Sequence, residues 1–371
     1  MPVKRLPNQL SGQRSRRLPL GLVIIADILL AGVGLMIFAF FHHVLPHDYQ
    51  TAGQSLPRLT TTLLAAFTSH TTPSDQAIGT ESISESTPSA RSEEQTTAVT
   101  AAQTTAPAVT ETASPAATAA GGMWGSKFAD KFTSGAIEQT AASYRSANIN
   151  IQIQKVQTGK VTYYVADIYL RDIRYFRTAF AGGQYARNVL DEVLDMAIAN
   201  QAILAMSGDY FGIRDRGIVI RNGELYREKL YADVLVMNND GSMQTFTAAE
   251  FDLNAVKSAG AWQAWSFGPM LLRNGQAMTS FNSEVTALNP RGAIGYYEPG
   301  HYCFVLVDGR QAGYSIGMTM TQLSQLFAQL GCQVAYNLDG GQSAVLTFQD
   351  SWVNQPYRGG RKISDIVYIA E

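Results

Sequence analysis

RGAIGYYEPGHYCFVLVDGR, residues 291–310, sets two apolar runs on either side of Pro299-Gly300. Short apolar runs broken by a proline–glycine pair read as two strands joined by a turn. The stretch TMTQLSQLFAQLGCQVAYNLDGG follows after a few residues. It reads as a helix with Thr319 or Thr321 as N-cap and Gly331 at its C-terminal end, running into a strand. A strand hairpin followed by helix and strand, with no regular βαβ alternation, predicts an α+β domain.

The same signals recur outward from this segment. NINIQIQKVQTGKVTYYVADIYL alternates apolar and polar residues around Thr158-Gly159, a hairpin pattern. GIVIRNGELYR, DVLVMNNDGSMQTF and WSFGPMLLRNGQAM carry Asn-Gly or Asp-Gly turns between strands. NVLDEVLDMAIANQAILAMSGDYF reads as a helix running into a strand that ends at Gly208, and RKISDIVYIAE as a closing strand. The expectation is a single mixed-sheet α+β domain over residues 123–371, with many strands, a few helices and no internal repeat.

The chain before this domain has a different character. Five cations, Lys4, Arg5, Arg14, Arg16 and Arg17, precede an apolar run interrupted only by Asp27. Residues 18–42 are long enough to cross a bilayer, which takes about 20 apolar residues. Asp27 costs about 2.5–3.5 kcal/mol at the bilayer centre, less than the summed contribution of its apolar neighbours. The run exceeds a signal-peptide core, and bulky residues follow it where a cleavage site would need small ones. Residues 1–17 therefore read as a cytoplasmic basic tail and residues 18–42 as a single-pass anchor in the cell membrane, with everything beyond it extracellular. Residues 43–122, rich in Ser, Thr, Ala and Pro, are too poor in apolar residues to offset their ordering entropy and read as a disordered spacer.

Composition narrows the chemistry. A formal charge of -2 gives no basic footprint for nucleic acid. His301 is the one histidine of residues 123–371, so a histidine-rich zinc site is excluded and any Ser-His-Asp triad would have to use it. Cys303 and Cys332 fall in the exported part, where a disulfide is permitted, and their apolar surroundings suit two buried thiols equally well. What remains is acids and arginines at strand ends. Asp209 follows AILAMSG, Asp308 follows CFVLV and Asp339 follows VAYNL, each beside glycine; Arg291 lies in NPRGAIG. One such Asp-Gly is ordinarily a turn. Three with an arginine suggest a shared polar cleft, where carboxylates serve acid/base work on a glycosidic bond and arginine with glycine amides holds phosphate.

Taken in order, AMSGDYFGIRDRGIVIRNG, SFGPMLLRNG, residues 289–346 and NQPYRGGRKISDIVYI resemble the phosphodiester glycosidase family, and in particular its bacterial membrane-anchored, exopolysaccharide-biosynthesis-type members. The resemblance spans residues 143–371. It implies hydrolysis of a sugar-1-phosphodiester on the glycosidic side, such as an N-acetylglucosamine-1-phosphodiester of a surface polysaccharide or wall polymer. By motif it implies Asp209, Asp308 and Asp339 as catalytic acids. Arg291, Gly340, Gly341 and Ser343 would bind substrate; Arg310 joins them as a weaker contact that, like Arg361, also reads as a loop-holding arginine. No cofactor is required, while the acids leave room for a divalent metal, calcium or magnesium. The chain departs from the family pattern at Ser207, Gln342 and Ala344. Two alternatives stay open: a glycan- or phosphate-polymer-binding module without turnover, and a metal-dependent phosphodiesterase.

Overall fold

A computed structural model describes residues 122–371. The basic tail, the expected anchor at 18–42 and the spacer up to residue 121 lie outside the described residues. Within them no helix is long and apolar enough to cross a membrane.

The spine is a nine-stranded sheet. Its spatial order is Glu138–Thr140, Ser143–Arg145, Ile149–Thr158, Val161–Leu170, His301–Val307, Arg291–Glu298, Val334–Leu338, Met270–Arg273 and Gln276–Ala277. Two five-stranded sheets complete the fold. One runs Met243–Phe246, Val234–Asn238, Ala261–Trp265, Val219–Arg221, Glu224–Arg227; the other runs Ser351–Trp352, Leu346–Phe348, Leu204–Ser207, Asp365–Ile369, Phe176–Phe180. The α+β class holds, as a mostly β domain with three short α-helices among the described residues. The mixed sheets do not, because all these strand pairs are antiparallel. The reason lies in the connections. Tight turns force their strands antiparallel. Each helical crossover skips a position that an antiparallel strand fills. From His301–Val307 through the helix Met320–Gln329 to Val334–Leu338 the gap holds Arg291–Glu298. From Phe176–Phe180 through Val193–Ala199 to Leu204–Ser207 it holds Asp365–Ile369, and from Met243–Phe246 through Leu253–Ser258 to Ala261–Trp265 it holds Val234–Asn238.

Both faces of the spine are covered, which is why HYCFVLV is an unbroken apolar run. Tyr302, Phe304 and Leu306 enter the large core shared with the smaller sheets; Cys303, Val305 and Val307 face the helix Met320–Gln329 through Leu323, Leu326, Phe327 and Leu330. Each such fully buried side chain contributes roughly 1.5–3 kcal/mol. The helix begins where the sequence places it: Thr319 Oγ1 accepts from Gln322 N, and the Gln322 side chain accepts from Thr319 N. This reciprocal cap satisfies two amides that the helix itself leaves unpaired.

Cys303 and Cys332 are free thiols with sulfurs 3.7 Å apart. They meet over Gly295, where an added Cβ would lie 2.6 Å from Cys303 Sγ, 2.7 Å from Phe327 Cε1 and 2.9 Å from Cys332 Sγ. Gly295→Ala is therefore expected to destabilise the domain by about 1–3 kcal/mol through overpacking. A lowered urea midpoint with an unchanged slope is the expected readout; an unchanged midpoint contradicts it.

Candidate active site

The strand Val334–Leu338 delivers Asp339 to the end of the spine, and three backbone ties fix the turn that follows. Asp339 N donates to Gly208 O at 3.0 Å, Gly341 N to Pro290 O at 2.9 Å and Ser343 N to Gly340 O at 3.0 Å. The two glycines are sterically required. A Cβ at Gly340 would stand 2.6 Å from Pro290 O, and Gly341 has φ 63°, the left-handed region that suits glycine.

Asp339 is buried yet opens onto a cavity of about 850 Å³. Its Oδ1 accepts from Gly340 N at 2.9 Å, and its Oδ2 lies 3.4 Å from Arg361 Nη2. Arg361 Nε in turn donates to Ser343 Oγ at 2.6 Å. Burial pushes the Asp339 carboxyl above its usual range, against the opposing pull of Ser343, Arg361 and the Gly340 amide. A carboxyl so placed holds or accepts a proton nearer neutral pH than a surface aspartate does.

Arginine dominates the charge around that acid. Arg214, Arg216, Arg291, Arg310 and Arg361 line the cavity, against the carboxylates Asp339 and Glu284. Four of the five have no acidic partner among the described residues. Arg291 spends its donors on carbonyls: Met318 O at 3.2 Å, Val285 O at 2.9 Å and Ala287 O. Burial, with Arg310 nearby, lowers its pKa to about 10. Arg310 gives Nε and Nη2 to Asn289 Oδ1 at 3.0 and 2.7 Å. Neutral acceptors fix these side chains without cancelling their charge, so the cavity presents an anion-binding field. One polar side chain of the wall is not fully paired. Asn337 lines the wall, 2% exposed, with Nδ2 on Gly268 O at 2.9 Å and Oδ1 unpaired. An unpaired buried acceptor costs roughly 1–3 kcal/mol.

The sequence-based candidates divide. Asp339, Gly340, Gly341, Arg291 and Arg310 line this one cavity; Ser343 sits just behind, holding Arg361. Asp209 and Asp308 do not line it, so the three acids share no cleft. Asp209 lies in a buried knot. Its Oδ2 accepts from Ser266 N and stands 3.8 Å from Arg221 Nη2, while Arg221 Nε pairs with Asp365 Oδ2 at 2.8 Å. Asp308 is buried among donors from other segments, Asn354 Nδ2 and Tyr314 Oη at 2.8 Å and Gln355 N at 3.1 Å. A buried carboxylate must be paired or hydrogen-bonded, and each of these satisfies that need with partners of its own. The sequence also leaves room for a divalent metal. Among the described residues no group of three or more His, Cys, Asp or Glu is placed to hold one.

Sequence reasoning passed over Arg214, Arg216, Glu284 and Asn337. Two arginines within three residues in IRDRG were a usable signal; Glu284, in an irregular loop, carries none. The unusual motif residues have local roles. Gln342 Nε2 donates to Gly360 O at 2.8 Å, and Ala344 is packed in the core.

Residues 200–370 match the model described as phosphodiester glycosidase. The SPbeta prophage-derived uncharacterized protein YomE of Bacillus subtilis (strain 168) is 30% identical over 176 residues. That alignment covers 44% of this chain and only 27% of YomE. Among solved structures, the zebrafish N-acetylglucosamine-1-phosphodiester alpha-N-acetylglucosaminidase (NAGPA) catalytic domain, auto-inhibited by its pro-peptide, aligns with a TM-score of 0.50 at 22% identity. The alignment covers 64% of this chain and 89% of that one, a likeness of fold. A hypothetical protein from Synechocystis aligns at TM-score 0.42 and 14% identity, over 64% of each chain.

Proposed function

Taking residues 200–370 as a phosphodiester glycosidase domain, we propose that the chain hydrolyses the glycosidic bond of a sugar-1-phosphodiester. One observation carries this reading: a buried acid with a raised pKa opens into a cavity where arginines outnumber carboxylates. In the reaction the C1–O bond breaks, water adds to C1, and the phosphate departs as a phosphomonoester. That leaving group is a weak base and needs charge stabilisation more than a proton. Arg291, Arg310 and Arg361 supply the charge, in the manner of preorganised electrostatic catalysis. Asp339 takes the proton from the attacking water, and its raised pKa makes it the stronger base for that step.

The anchor expected at residues 18–42 and the spacer behind it would hold this domain outside the cell, facing polysaccharide or wall polymer. The test is hydrolysis of a sugar-1-phosphodiester of a simple alcohol in ¹⁸O-water. Label in the C1 hydroxyl of the released sugar is the expected result. Label in phosphate, with sugar 1-phosphate as product, marks a phosphodiesterase instead. Saturable binding without turnover marks a binding module.

A further inference from the structure

Three arginines at the cavity are linked through aromatic rings. The Arg361 guanidinium lies 5.3 Å from the Tyr210 ring centroid, and Arg214 lies 5.5 Å from the same ring. Arg214 also stands 4.9 Å from Phe267 and 5.7 Å from Tyr231, and Arg216 sits 3.8 Å over Tyr231. The row therefore starts at the partner of Asp339 and continues through half-buried Arg214 to exposed Arg216. Cation–π attraction holds each guanidinium near its rings without using its N–H donors, which stay available to phosphate oxygens. Neither Arg214 nor Arg216 forms an ion pair or a side-chain hydrogen bond among the described residues.

The reaction itself does not call for them. One phosphodiester carries one negative charge, and Arg291, Arg310 and Arg361 beside Asp339 already exceed it. We propose that Arg214 and Arg216, held on Tyr210, Phe267 and Tyr231, form a second phosphate subsite, so that the preferred substrate is a polymer of successive phosphodiesters. This rests on the glycosidase reading and extends it from one scissile linkage to the class of chain that carries it. Each phosphate held releases condensed counterions, so binding of such a polymer weakens steeply with salt.

The experiment compares two substrates on the full chain: a sugar-1-phosphodiester of a simple alcohol, and the same sugar phosphate on a polyol-phosphate oligomer. The intact protein is expected to favour the oligomer in kcat/KM by tenfold or more at low salt, with the preference fading as salt rises. Arg216→Gln, at an exposed position, and the double variant R214Q/R216Q are expected to lose that preference through KM, with kcat/KM falling tenfold or more on the oligomer and far less on the single phosphodiester. Equal loss on both substrates, or no loss on either, overturns the subsite. If the intact protein turns over neither substrate, the glycosidase reading fails by itself. Calorimetric binding of the oligomer then decides the subsite: tighter binding to the intact protein than to R216Q, with a shallower salt slope in the variant, supports it, and identical isotherms refute it.

Discussion

Asp339→Asn is expected to lower turnover of a sugar-1-phosphodiester by about 10²–10⁴-fold, the range typical of a removed general base, and to leave the fold intact. The amide keeps the shape and an acceptor for Gly340 N, so an unchanged circular dichroism spectrum should accompany the loss. Asp308→Asn is the control. It turns an amide donor towards the donors already held by that carboxylate and should cost about 1–3 kcal/mol of stability, with activity of the folded protein kept. Equal activity losses in the two variants would remove the special role of Asp339. The pH profile is a second check. Burial raises the folded Asp339 pKa, so the base is lost as pH falls through a value above the ordinary aspartate range of about 4. The acid limb of kcat/KM should lie above that range, and Arg361→Gln, which removes an opposing charge, should move it higher still.

The second large effect is structural. Arg221, 1% exposed, lies between Asp209 and Asp365, and Arg221→Met is expected to cost about 3–5 kcal/mol, since it strands two buried carboxylates. The sign with pH follows from Asp365, whose carboxyl is pushed up to about 6 by burial, against the pull of Arg221. A carboxyl with a raised folded pKa favours the folded state at low pH, and that contribution is lost as pH rises through the folded value. Without Arg221 the folded pKa climbs further, so the loss should be larger at pH 7 than at pH 5. Urea midpoints at the two pH values measure it, and a pH-independent loss would contradict the account.

Much of this architecture was legible because its signals are local. Asn222-Gly223 and Asn274-Gly275 take positive φ at both positions, as their turns require, and the Thr319 cap lies where the pattern puts it. The helix Leu253–Ser258 was missed because six residues show too little periodicity, although Asp252 caps it through Asn254 N and Ala255 N. The site was legible in part. Asp339 and Arg291 announce themselves as polar residues at the ends of apolar strands. Asp209 and Asp308 carry the same signature, and which of the acids faces the cavity depends on partners 46 to 156 residues away in the chain, such as Asn354 and Asp365. No local pattern encodes those distances.

The strand Asp365–Ile369 is the last of the described strands in chain order, yet it lies inside its sheet, between Leu204–Ser207 and Phe176–Phe180. Asp365 carries the ion pair to Arg221 and accepts the Asp209 amide, next to the Gly208 carbonyl that ties down Asp339. The strand made last among these is thus an interior one. Until residue 365 has been made, the turn that carries Asp339 lacks this anchorage, and a nascent chain stalled before that point leaves Arg221 and the Asp209 amide without their partner.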